Sequence, residues 1–257
     1  MLKKTFIHLP GIGAQSERSL WRQGAEDWDR YLDSPDQYSV GSASKEVVRR
    51  GISNSKQNLE EGNHQYFARR LRARHAWRAF DEFRDKCVCL DIETDGTADP
   101  DGVTCIGLYD GKEYVCLLKG EDIESFRDVI THYSMIVTFF GTGFDLPVLL
   151  RRFPGVVFDQ IHLDLCPLLK NMGYRGGLKK IETAFNIERS EETVGLTGYD
   201  AVRLWRAGQR GNDAAMDLLV RYNREDTVNL MTLADAAYDK LSGALDPHKA
   251  AQPSLSI

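Results

Sequence analysis

The rhythm of apolar and polar positions changes near residue 86. Before it, apolar residues are spaced irregularly. Residues 33–63 are rich in Ser, Gly, Asn and Asp and predict a loop region holding one short helix over 45–50. Over 64–83, Phe67, Leu71, Phe80 and Phe83 form an interrupted helical stripe surrounded by Arg69, Arg70, Arg72, Arg74 and Arg78. The cluster could grip an anionic polymer backbone, but five arginines around one helix cannot all face one groove, so most of them read as a solvated face. After Lys86 the pattern is that of strands over 87–92, 103–109 and 114–118, separated by Asp95-Gly96, Asp101-Gly102 and Asp110-Gly111 turns. A helix over 122–133, a strand over 135–140, a helix near 146–152 and a strand over 157–163 follow. The remainder predicts helices over 164–172, 178–185, 199–207 and 212–241. This order predicts an α/β fold with a central mixed β-sheet flanked by helices, preceded by a small helical N-terminal module. The expected divisions are a helical module over 1–63, an arginine-rich connecting helix over 64–86, the α/β domain over 87–245 and a flexible tail over 246–257.

The 257 residues carry a net charge of −5, unevenly distributed. Residues 1–86 hold 16 Lys+Arg against 12 Asp+Glu, and the remainder 17 against 26. The basic part can supply phosphate contacts, and the acidic part holds carboxylates that bound cations would neutralise. Cys87, Cys89, Cys105, Cys116 and Cys166 fall mostly in apolar runs without C-x-x-C spacing or a matching His/Cys pair, so they read as reduced, buried thiols rather than a zinc site. No apolar stretch reaches the roughly 18 residues of a membrane span and no signal-peptide core is evident, so a soluble, cytoplasmic protein without membrane association is expected.

Candidate chemistry lies in scattered acids. In Asp91-Ile92-Glu93, at the end of the apolar run Cys87-Val88-Cys89-Leu90, strand alternation projects both carboxylates to one face, where unpaired charge is costly. Tyr222 and Asp226 are four apart in a helical pattern and share a face, whereas Glu225 lies about 100° around the helix from Asp226. Convergence of these two pairs would suit hydrolysis of a phosphodiester by paired hard divalent cations. A calcium loop starting at Asp91 fails, because its twelfth position is Gly102 where a glutamate is needed. Asp145 before Leu146-Pro147 reads equally as a helix N-cap. His162 reads as a hydrogen-bonded core residue and Asp164 as an N-cap, with a secondary role in the site as the alternative for both, while Lys179, Lys180 and Arg175 around Gly176-Gly177 could approach a phosphate or be solvated. Leu9-Pro10-Gly11-Ile12-Gly13 with the helical residues after it looks like a helix-hairpin-helix element that offers backbone N–H groups to phosphate. The alternative is a glycine turn between helices with Leu20 and Trp21 as core.

Asp91/Glu93, Asp145 and Tyr222-x-x-x-Asp226 resemble, in order, the three motifs of the DEDD 3′–5′ exonuclease superfamily (DnaQ/RNase D-like). The Tyr-x-x-x-Asp form is similar to its DEDDy branch, and the chain resembles YprB-type RNase H-like domains most. Residues 5–13, 161–165 and 177–182 support the resemblance, whose firm part is 87 to about 240. It implies an RNase H-like fold and a 3′–5′ exonuclease using two Mg²⁺ or Mn²⁺ ions. Asp91 would bridge both ions, Glu93 and Asp226 would complete one site, and Asp145 would help hold the other. Tyr222 would orient the attacking water. Thr94, Phe140, Gly141, Phe144, Leu146 and Lys179 would line the substrate, which is expected to be a single-stranded 3′ end, DNA ahead of RNA. The family often has an asparagine shortly before the middle aspartate. Here Phe140-Gly141-Thr142-Gly143 stands in that stretch, so stacking or close backbone approach would replace polar contacts. The alternatives are an exoribonuclease of RNase D type, an RNase H-type endonuclease and a catalytically silent nucleic-acid-binding scaffold.

Overall fold

A computed structural model of the chain describes residues 1–245; the expected flexible tail, 246–257, lies outside them. The chain divides into two compact units, Met1–Arg84 with the chain from Ala237 onward, and Asp85–Ala236.

In the first unit, Glu17 is the organising residue. It lies on α1 (Ala14–Arg22), is fully buried, and accepts from the Thr5 hydroxyl at 2.7 Å, from the Phe6 and Ile7 N–H groups, and from Arg78 at 2.8 Å. The helix follows the Gly11-Ile12-Gly13 turn, in which Gly11 has φ 77°, and it buries Leu20 and Trp21 as core. α2 (Trp28–Asp33) is N-capped by Asp27. α3 (Lys45–Glu60) runs ten residues beyond its expected end. Its Ser and Asn residues lower helix propensity, but Val48, Ile52 and Ser55 recur at helical spacing and are buried. The connecting helix expected over 64–86 is not continuous. α4 (His64–Ala68), a 3₁₀ stretch (Ala73–Ala79), α5 (Phe80–Phe83) and a final 3₁₀ turn (Arg84–Lys86) replace it. Arg72 is extended at the break, Leu71 is buried beside it, and Arg78 reaches Glu17 in the core. One of the five arginines is therefore structural.

In the second unit, the sheet is built from β1 (Cys87–Thr94), β2 (Val103–Tyr109), β3 (Tyr114–Leu118), β4 (Met135–Thr138) and β5 (Ile161–Asp164) in the order β3-β2-β1-β4-β5. β1–β2 and β2–β3 are antiparallel, and β1–β4 and β4–β5 are parallel. The helices are α6 (Phe126–Val129), α7 (Asp145–Arg152), α8 (Leu165–Asn171), α9 (Leu178–Ala184), α10 (Gly198–Gly208) and α11 (Asp213–Ala244). The fold is α/β with a mixed sheet, as the sequence predicts. Val88, Leu90 and Ile92 point into an apolar core with Ile106, Phe126 and Phe153. Alternation therefore turns Asp91 and Glu93 to the opposite face, where α11 lies.

β2 and β3 keep their expected bounds. β4 stops at Thr138 instead of 140, because Phe140 adopts a left-handed backbone (φ 67°) that turns the chain out of the sheet. β5 starts at Ile161 rather than 157. The helix expected over 122–133 is a short α-turn, α6, between two 3₁₀ turns. All five cysteines are free, with Cys87, Cys89 and Cys105 buried.

Candidate active site

β1 lies at the centre of the sheet but pairs with β4 only through Cys87–Cys89. Asp91, Ile92 and Glu93 extend past that pairing and keep a partner on the β2 side alone, where Asp91 faces Gly107 and Glu93 faces Cys105. The sheet thus opens beside the two acids. On the face above them, α11 brings Asp226. Carboxylate oxygens of Asp91, Glu93 and Asp226 all lie within 4.8 Å of one another.

Asp145 lies outside that group of three and adds a fourth, neighbouring acid from the β4 side. It is the first residue of α7 and is buried. The N–H groups of Asp145 itself and of Ile92, which sits between the two β1 acids, favour its charged form. Burial nevertheless pushes Asp145 up to about 7. Burial, then the charges of Asp226, Glu93 and Asp145, holds Asp91 well above the carboxylate range. Glu93 is likewise raised by burial and by Asp226. Four neighbouring carboxyls therefore resist simultaneous ionisation unless cations offset them. An all-oxygen donor set of this kind fits a hard divalent cation rather than a thiophilic one.

Tyr222 lies one helical turn before Asp226. Its hydroxyl receives a hydrogen bond from Lys179 Nζ at 2.8 Å, and the same ammonium stands 4.4 Å from the ring centre. Lys179 also donates to the Leu196 carbonyl, so its hydrogen bonds go to the protein itself. Burial and the Asp226, Glu93 and Asp91 charges push the Tyr222 hydroxyl upward, so it stays protonated.

Of the other residues the sequence points to, Phe140, Gly141 and Phe144 lie along the turn between β4 and α7, with Phe140 and Phe144 exposed, and Leu146 lies in the first turn of α7. Asp164 anchors this turn by accepting from Phe140 N at 2.8 Å and Thr142 N at 3.0 Å, while also capping α8 through Cys166 N. A Cβ on Gly143 would come within 2.5 Å of the Phe140 ring, so a glycine lets that ring lie over the turn. Thr94 ends β1 at a register shift next to Glu93. His162 bonds the Thr138 hydroxyl at 2.9 Å, and burial lowers its basicity.

Three features of the site go beyond the sequence expectations. Asn223, fully buried, donates to Asp91 Oδ2 at 2.9 Å and accepts from the Tyr114 hydroxyl at 2.8 Å. Gly107 makes room for it: a Cβ there would stand 2.0 Å from Asn223 Oδ1 and 2.3 Å from Thr227 Oγ1. Arg189, nearly buried, grips Glu182 with two hydrogen bonds of 2.6 and 2.7 Å and also pairs with Asp226. Glu225, turned away from the acid cluster, accepts from Ser190 N at 3.2 Å and from the Thr193 hydroxyl, pinning the loop that carries Arg189. An asparagine in the helical stripe was the available clue to Asn223. Arg189 lies in an aperiodic loop and offered none.

Residues 88–238 match the RNase_H_2 family, described as belonging to the RNase_H superfamily. The chain belongs to the RNase H superfamily. It is similar to a family B DNA polymerase from the hyperthermophilic archaeon Pyrobaculum calidifontis, with TM-score 0.51 and 20% identity over 65% of this chain and 27% of the polymerase chain. At that identity the likeness concerns the fold. No curated protein sequence matches the chain. Among the described residues, no helix is long and apolar enough to cross a membrane.

Proposed function

We propose that this protein is a metal-dependent 3′–5′ exonuclease of the DEDDy type, akin to YprB-type domains, acting on single-stranded DNA ends. The observation that carries this reading is the meeting of Asp91 and Glu93 from β1 with Asp226 from α11, all within 4.8 Å, one turn from Tyr222. Asp91, Glu93, Asp145 and Asp226 would hold two Mg²⁺ or Mn²⁺ ions. Bound there, such ions would lower the pKa of a water and neutralise charge developing on the phosphate.

The chain's own groups then have separate tasks. Asn223 fixes Asp91 from behind. Lys179 donates to the Tyr222 oxygen, so the phenolic proton, on the Asp226 side, would orient the attacking water there. The water oxygen bonds to phosphorus, the bond from phosphorus to the O3′ of the preceding nucleotide breaks, and a nucleoside 5′-monophosphate leaves. Phe140 and Phe144, exposed at the rim, would stack on bases, and Gly141, Leu146 and Thr94 would shape the place of the terminal nucleotide. Buried Glu93, Asp145 and Asp226 favour a strand end over the interior of a duplex, because only an end can be drawn down to them.

Product analysis tests the reading. Mononucleotides support it, internal fragments favour an endonuclease, and binding without cleavage favours a scaffold. The same assay run on RNA decides the sugar.

A further inference from the structure

We propose that Arg203, Arg206 and Arg210 form a phosphate track that holds the single strand on the 5′ side of the terminal nucleotide. The proposal rests on the nuclease reading above for the identity of the strand.

Arg203 and Arg206 are three apart on α10 and share a side of it, and Arg210 follows in the turn just past the helix end. All three are exposed, and together they line a cavity of about 470 Å³ whose apolar side includes Leu196 and Leu204. Cations beside an apolar floor suit a strand that presents phosphates and bases in turn.

The cavity connects with the proposed active site by two routes. Leu196 and Leu204 pack against the cluster of Ala201, Trp205, Leu219 and Tyr222. The Leu196 carbonyl receives the Lys179 ammonium, which in turn holds the Tyr222 hydroxyl at 2.8 Å. On the other side, Arg206 donates to the Asp95 carbonyl at 3.2 Å, directly after the strand that carries Asp91 and Glu93. The cavity therefore adjoins both the strand and the helix that carry the acids.

The charge of the surroundings makes the trio distinctive. Residues 85–236 hold 16 Lys+Arg against 25 Asp+Glu. The one carboxylate lining the cavity, Asp200, is committed to the Thr197 capping box and stands 3.7 Å from Arg203. Among the described residues, neither Arg206 nor Arg210 has an ion-pair partner. A polyanion avoids an acidic surface, so a cationic strip on the elements that neighbour the acid cluster is where its backbone gains most.

The test is fluorescence anisotropy of a labelled deoxythymidine oligomer, without divalent ions, over a range of salt. Wild type is compared with an Arg203→Gln/Arg210→Gln variant and with an Arg49→Gln/Arg50→Gln control in the first unit. Arg206 is left intact because it supports Asp95. The expected result is about tenfold weaker oligomer binding and a loss of about 1.4 from the slope of log K against log salt, from two lost contacts. Binding of thymidine monophosphate and the behaviour of the control should not change. An unchanged affinity and slope, or an equal loss for the mononucleotide, would overturn the track. Because this readout needs no cleavage, a lost slope in a protein that cuts nothing would retain the track and remove the nuclease reading.

Discussion

Asn223 holds Asp91: its amide donates to the carboxylate Oδ2 at 2.9 Å from a fully buried position on α11, while its carbonyl takes the Tyr114 hydroxyl. One side chain thus joins the central strand, the neighbouring hairpin and the long helix. Asn223→Ala would take the hydrogen bond from Asp91 Oδ2 and leave the Tyr114 hydroxyl only its longer, 3.4 Å bond to the Val220 carbonyl. We expect about 2 kcal/mol of lost stability in urea unfolding and a fall of about 10- to 100-fold in cleavage rate, as for other residues that orient metal ligands.

Gly107 should tolerate nothing larger. The Cβ of Gly107→Ala would overlap Asn223 and Thr227 at 2.0 and 2.3 Å, and neither can withdraw without moving α11. Overpacking of this kind costs about 3 kcal/mol. Thermal unfolding and cleavage rate should drop together, whereas an active variant of normal stability would show that α11 is not seated as described.

Arg189 neutralises Asp226 when no metal does. Arg189→Met would leave Glu182 and Asp226 as buried charges and should cost about 3 kcal/mol in the metal-free protein. Added Mg²⁺ or Mn²⁺ no longer competes with a guanidinium for Asp226, so the metal-induced rise in melting temperature should exceed that of wild type. Equal shifts would mean that Arg189 does not oppose metal binding.

His8 makes the first unit sensitive to acid. It is buried and bonds Ser55 at 2.8 Å, and burial, with Arg70 and Arg78 nearby, lowers its pKa to about 3. The unfolded chain takes up a proton near pH 6.5 while the folded one does not. The stability contributed by neutral His8 is therefore complete above pH 6.5 and declines as the pH falls toward 3. Between pH 6.5 and 4 the loss should be on the order of 3 kcal/mol. His75, also lowered, to about 4, adds to the same trend, so the comparison that isolates His8 is His8→Gln, whose pH dependence should be shallower.

What the sequence reveals and what it hides have physical causes. Strand alternation and helical spacing are local, so the shared faces of Asp91 with Glu93 and of Tyr222 with Asp226 could be read directly, as could β2 and β3. The strand ends were harder, because β4 ends at a left-handed Phe140, a conformation that a phenylalanine does not advertise. The core role of Arg78 was hidden because its partner Glu17 is 61 residues away. Arg189 and Asp226 are likewise 37 apart and meet only in the folded chain. The length of α3 was underestimated because Ser and Asn weaken its propensity while tertiary burial of Val48 and Ile52 sustains it.

The most direct test of the account is a time course with 5′-labelled single-stranded DNA and its RNA counterpart in Mg²⁺ or Mn²⁺, beside Asp91→Ala and Tyr222→Phe. The account predicts a DNA ladder that shortens from the 3′ end, disappears in Asp91→Ala and slows in Tyr222→Phe. Intact strands of both kinds under both metals, or a ladder that persists in Asp91→Ala, would contradict it.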